Sequence, residues 1–96
     1  MGMNNDVFEA RCKEIVRDYF NSHADKSKSG CYIGLDDVYV VWMVRVLGNN
    51  KALLSTNVTD GMYYEITRNG QTGEIYVDAY KKWENFSVAG VEKEGT

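Results

Sequence analysis

The sequence predicts an α+β fold in which an N-terminal amphipathic helix packs on a four-stranded antiparallel meander. Three observations predict it. Apolar residues recur at spacings of three and four from Phe8 to Phe20. Four β-prone runs follow, over 38–47, 51–58, 62–68 and 74–80. The runs are separated by Gly48, Asn49 and Asn50, by Thr59, Asp60 and Gly61, and by the stretch 69–73, all rich in residues that suit turns and left-handed backbone.

The helix is expected over about 5–22, with Asn4, Asn5 or Asp6 as its cap. Phe8, Cys12, Ile15, Val16, Tyr19 and Phe20 form its apolar stripe, and Glu9, Arg11, Lys13, Glu14, Arg17 and Asp18 its solvated face. A polar, glycine-ended stretch, 25–30, lies within the loop 23–37 and is the segment expected to move most.

Side chains paired across an antiparallel ladder share a face, so turn lengths fix which residues meet. Three-residue loops at 48–50 and 59–61 and a four-residue loop at 69–72 set Val46 against Ala52, Val44 against Leu54 and Trp42 against Thr56. They then set Val58 against Met62, Thr56 against Tyr64, Leu54 against Ile66, Ile66 against Ile75, Tyr64 against Val77 and Met62 against Ala79. The resulting core face holds Val40, Trp42, Val44, Val46, Ala52, Leu54, Val58, Met62, Tyr64, Ile66, Ile75, Val77 and Ala79, and the helix is its natural cover. The C-terminal segment, 81–96, fits either a helical turn or a strand extension up to Phe86, with a charged tail expected to fray.

Ninety-six residues make one small domain, 1–96, with 44% hydrophobic and 26% charged residues, seven Tyr, three Phe and two Trp. That composition belongs to a folding globular chain and not to a disordered one. The longest apolar run, 38–44, is far below the roughly 20 residues of a membrane span, and no secretory signal pattern opens the chain. A cytoplasmic protein is expected, with Cys12 and Cys31 reduced, Cys12 on the buried stripe and Cys31 in the loop. The formal charge of −3 provides no basic footprint for nucleic acid, although strand aromatics would otherwise suit base stacking.

No cofactor, metal or catalytic set is expected. His23 is the single histidine and has no ligand cluster at metal spacing. The run Gly70, Gln71, Thr72, Gly73 lacks the Lys and Ser or Thr of a phosphate loop and reads as a hairpin turn. Asp36 and Asp37 read as turn residues, and the glycosylation patterns starting at Asn57 and Asn85 mean nothing without secretion.

The second face of the sheet is mixed where a plain solvent face would alternate cleanly. It is expected to carry Tyr39, Val41, Met43, Arg45, Leu47, Leu53, Ser55, Asn57, Tyr63, Glu65, Thr67, Tyr76, Asp78 and Tyr80. Three covers suit it: a second small core made by Trp83, Phe86 and Val88, a homodimer or heterologous protein, or a small molecule rimmed by tyrosines. The candidate interaction patch is Tyr39, Met43, Arg45, Tyr63, Glu65, Tyr76, Asp78 and Tyr80, with Tyr63 and Tyr76 near its centre.

The segments 37–42, 50–56, 60–65 and 78–85 make the chain resemble a family of small uncharacterised proteins encoded by phages and prophages of Gram-positive bacteria. The likeness spans about 5–88 and is most specific over 51–65. It implies a genomic setting and transfers no site. Small phage proteins of this kind often block one host protein, sometimes an immune effector such as a CRISPR nuclease. The expectation is therefore a stoichiometric protein-binding module in the cytoplasm of a host bacterium, acting on a host or phage protein. The alternative is a homo-oligomeric ligand-binding or accessory protein of phage replication. Neither expectation involves catalysis.

Overall fold

The computed structural model describes residues 4–24 and 32–90. Helix α1, Asn5–His23, begins where the Asn4 side chain accepts the Asp6 N–H at 2.7 Å, which satisfies one of the orphan donors of the first turn. Phe8, Cys12 and Val16, four residues apart, are fully buried along one side. Glu9 and Lys13 pair at 3.1 Å on the outer surface, as i,i+4 ions on a solvated helix face do. At the far end the Asn21 side chain substitutes for a strand neighbour. Its amide donates to the Ile33 carbonyl at 2.9 Å, and its oxygen accepts the Ile33 N–H at 2.8 Å. Ile33 is thereby pinned against the core just before a 3₁₀ turn, Leu35–Asp37, leads into the sheet.

The sheet is a meander, β1 Val38–Val46, β2 Asn49–Thr56, β3 Met62–Arg68 and β4 Ile75–Lys81, with every neighbouring pair antiparallel and β1 and β4 at the edges. Helix α1 lies across β1 and β2. Phe8, Cys12 and Val16 meet Val38, Ala52, Leu54, Tyr64 and Ile66, and Tyr19 meets Tyr64 edge-on with centroids 5.5 Å apart. The fold class predicted from the sequence is the one observed.

The registers differ from expectation, and the difference decides which residues face the helix. Leu47 and Gly48 form a two-residue turn in which both have positive φ, 54° and 82°, so Val46 pairs with Asn49 and Val44 with Lys51. Further along β1 a bulge inserts Val41 between the pairs Val40 with Leu54 and Trp42 with Leu53. Relative to the three-residue loop, the pairing near the turn slips by an odd number of residues, which reverses faces. Trp42, Val44 and Val46 therefore leave the core face, where the sequence had placed them, and are 41%, 44% and 55% exposed. Met43 takes their place against the core, and Arg45 joins the same side. Beyond the bulge, Val38 and Val40 return to the core face.

The other two connections are longer than expected but shift the pairing by an even step, so faces are preserved. Leu54 pairs with Tyr64 and not Ile66, while Tyr64 pairs with Ala79, Ile66 with Val77 and Met62 with Lys81. Val58 lies in the β2–β3 connection and is exposed, so it is no core residue. Side-chain hydrogen bonds build these turns: Asp60 accepts the Met62 N–H at 3.0 Å, and Asn69 accepts the Gln71 N–H at 2.8 Å.

Beyond β4 the chain continues as an arm, 82–90, without helix or strand. Trp83 is 96% exposed and Phe86 and Val88 are exposed too, so this segment forms no second core over the sheet. Cys12 is a buried free thiol. Cys31, the polar loop 25–30 and the tail 91–96 lie outside the described residues.

Candidate interaction surface

The open face follows from the register. Across the middle of the sheet Trp42 stands beside Leu53, Leu53 beside Glu65 and Glu65 beside Asp78; in the adjacent row come Val44, Lys51, Thr67 and Tyr76. Tyr39 pairs with Ser55, and Tyr63 with Tyr80. Of the residues expected to form the patch, Tyr39, Tyr63, Glu65, Tyr76, Asp78 and Tyr80 share this face. Met43 and Arg45 do not, because the two-residue turn puts them on the helix side.

Sequence reasoning missed Trp42, Val44 and Val46 as members. The run 38–44 is apolar at every position but Tyr39, so its pattern carries no phase, and nothing in Val40 and Val41 marks the bulge. With these three included, the face is more apolar than expected at its β1 side and remains tyrosine-rich at β3 and β4. No described segment covers it. Solvent-facing sheet surfaces of this character are unusual, and Trp and Tyr are the types that concentrate at protein interfaces.

Electrostatics are concentrated in one row. Glu65 and Asp78 face each other directly, and Lys51 reaches Glu65 at 3.6 Å from the adjacent strand. The phenol of Tyr76 is held above its ordinary pKa by a hydrogen bond with the Glu74 carboxylate and by that group's negative charge. Toward the β2–β3 connection the face dips into a cavity of about 430 Å³ lined by Tyr39, Ser55, Asn57, Thr59, Tyr63 and Lys82, among others. The Lys82 ammonium sits 5.9 Å from the Tyr63 ring centroid, within cation–π range. The Ser55 hydroxyl donates to the Met62 carbonyl at 2.7 Å and is thus engaged in holding β2 to β3.

The helix side carries a second, smaller hollow of about 250 Å³ between Tyr19, Phe20, Met62 and Tyr64, rimmed by His23 and Asp60. His23 stacks on Tyr19 at 4.1 Å and its Nδ1 lies 2.8 Å from the Tyr19 carbonyl, in the last turn of the helix. Among the described residues no three His, Cys, Asp or Glu side chains gather as a metal site, and no helix is long and apolar enough to cross a membrane.

Residues 9–90 match the model of a protein family described as a family of unknown function, DUF6275. No curated protein and no solved structure matches the chain.

Proposed function

The chain belongs to the DUF6275 family of unknown function, and from that premise we propose that it is a small protein-binding module of phage or prophage origin. It acts stoichiometrically on one protein of a Gram-positive host, the leading class being a host-defence effector. The observation that carries this reading is the uncovered sheet face, on which Tyr39, Trp42, Val44, Tyr76 and Tyr80 are all exposed large side chains displayed by paired strands. A sheet presents such anchors already ordered, so binding forfeits little conformational entropy. The segments that resemble small phage proteins of Gram-positive hosts supply the setting.

The alternative, a homo-oligomeric ligand-binding accessory protein of phage replication, draws on the cavity between Tyr39, Tyr63 and Lys82. The two readings separate in one experiment. The tagged protein and its Tyr63→Ala/Tyr76→Ala variant are used to capture proteins from lysate of the Gram-positive host, followed by mass spectrometry and titration of the captured protein. A single host partner that binds one-to-one and loses about 2 kcal/mol or more of affinity with the double variant supports the first reading. Undiminished affinity, with native circular dichroism in the variant, removes the open face from consideration. Self-association with a co-purifying small molecule and no host protein supports the second.

A further inference from the structure

Strand β4 is an edge. Lys82 donates its backbone N–H inward to the Gly61 carbonyl at 2.7 Å, continuing the β3 ladder one residue past Lys81. Amide directions alternate along a strand, so the N–H and C=O groups of the odd-numbered neighbours, Val77, Ala79, Lys81 and Trp83, face outward. Natural edges are blunted by charged side chains, lysine above all, by proline, by a bulge or by a cover. This one carries Asp78 and Lys81 but has no bulge in its pairing with β3, the chain has no proline, and the exposed segment 82–90 follows it directly.

We propose that a second copy of this chain occupies that edge, residues 77–89 of the two copies pairing antiparallel about a two-fold axis at Trp83 so that two meanders become one continuous sheet. Charge selects the register. With Trp83 opposite Trp83, Lys82 of each copy faces Glu84 of the other, giving two opposite-charge cross-strand pairs. Moving by one step in either direction while keeping like faces together sets Lys82 against Lys82, or Glu84 against Glu84. A further step toward β4 sets Glu84 against Asp78. Like charges directly opposite are destabilising. The selected register also sets Phe86 beside Tyr80 of the second copy, an aromatic cross-strand pair, and Ala89 beside Val77. It aligns odd-numbered residues with odd-numbered residues, as the outward amides require. Phe86, exposed on its own chain, thus gains an aromatic neighbour from the second copy. This association adjoins the partner surface proposed above and shares Asp78 and Tyr80 with it, while Tyr39, Trp42, Val44 and Tyr63 lie on other strands.

The test is sedimentation velocity over a concentration series for the unaltered protein and for Lys82→Glu, Glu84→Lys and the double exchange, each checked for fold by circular dichroism. The expected result is a dimer whose dissociation constant rises roughly five- to tenfold in each single variant. In the double exchange, which restores opposite charges, it should return to near the starting value. Trp83→Ser should weaken the dimer independently. A monomer at every concentration overturns the proposal. So does a dimer indifferent to Trp83→Ser and to the charge exchanges, since that dimer must use another surface. Because the double exchange keeps both charged side chains, loss of fold in one single variant leaves the other single variant and the double exchange to decide.

Discussion

Glu65 and Asp78 stand directly opposite each other across the β3–β4 ladder on the open face, and Lys51 is an ion-pair partner of Glu65 alone. Like charges in cross-strand positions cost stability. Asp78→Asn should therefore raise the free energy of unfolding by a few tenths to about 1 kcal/mol, with the gain shrinking as salt is added because exposed charges are screened. Urea unfolding at low and high ionic strength measures this. If the acidic pair orients a partner, as its position between Leu53 and the tyrosines favours, the same substitution weakens association while strengthening the fold. That opposition of signs separates a binding role from a merely tolerated repulsion.

The register correction has its own consequence for stability. Leu54 is fully buried under α1, whereas Val44, expected in the core from turn length, is 44% exposed on the open face. Leu54→Ala should cost about 2–5 kcal/mol through the cavity it leaves. Val44→Ala should fall within the roughly 0.5 kcal/mol typical of surface changes. The two urea midpoints, compared in the same buffer, check the phase of β1 directly: equal losses would place Val44 in the core and remove the bulge at Val41.

Gly70 packs against the backbone of Gly48, binding the β1–β2 turn to the β3–β4 loop. Its N–H donates to the Asn49 side chain at 2.8 Å, and a β-carbon on Gly70 would overlap the Gly48 carbonyl. The obstacle is backbone, so no side chain can swing aside. Gly70→Ala should destabilise by about 1–3 kcal/mol, whereas Gly34→Ala, with open space around it, should not. Thermal or urea unfolding of the pair checks whether the two ends of the meander are locked together.

Much of the fold was legible because its signals were redundant. The stripe from Phe8 to Phe20 has a single helical phase. In β2 and β3, Ala52, Leu54, Tyr64 and Ile66 recur at every second position, most of them flanked by polar residues, so even steps in register left their faces unchanged. The phase of β1 was not legible. Its apolar run offers no alternation, and the turn uses Leu47 at φ 54°, a conformation that sequence preference assigns to Asn or Gly. Reading the turn one residue too long and missing the bulge moved Met43 and Arg45 onto the candidate patch and kept Trp42, Val44 and Val46 off it. The exposed arm was undecidable for a different reason: whether Trp83, Phe86 and Val88 fold inward depends on contacts that no local pattern encodes.

Alkaline pH should expose the state of Cys12. Burial, reinforced by the negative charge of Glu9 and partly offset by Arg11, pushes its thiol up from 9.0 to about 12. In the unfolded chain the thiol ionises near its ordinary value, so above pH 9 the unfolded state holds fewer protons than the native one. Stability from this group is complete below pH 9 and is lost as pH rises toward 12. Burial raises the Tyr64 phenol as well, with Asp60 and Tyr19 adding to the shift, so its loss follows in the same direction above pH 10. Between pH 9 and 10 the Cys12 contribution is the one that separates variants. There the unfolding free energy should fall with a slope approaching 1.4 kcal/mol per pH unit, and Cys12→Ala should remove most of that slope even though it lowers stability at pH 7. Urea unfolding at half-unit pH intervals provides the measurement. Parallel slopes in the two proteins would mean that the thiol is accessible to solvent, and α1 would then not be seated on the sheet as Phe8, Cys12 and Val16 place it.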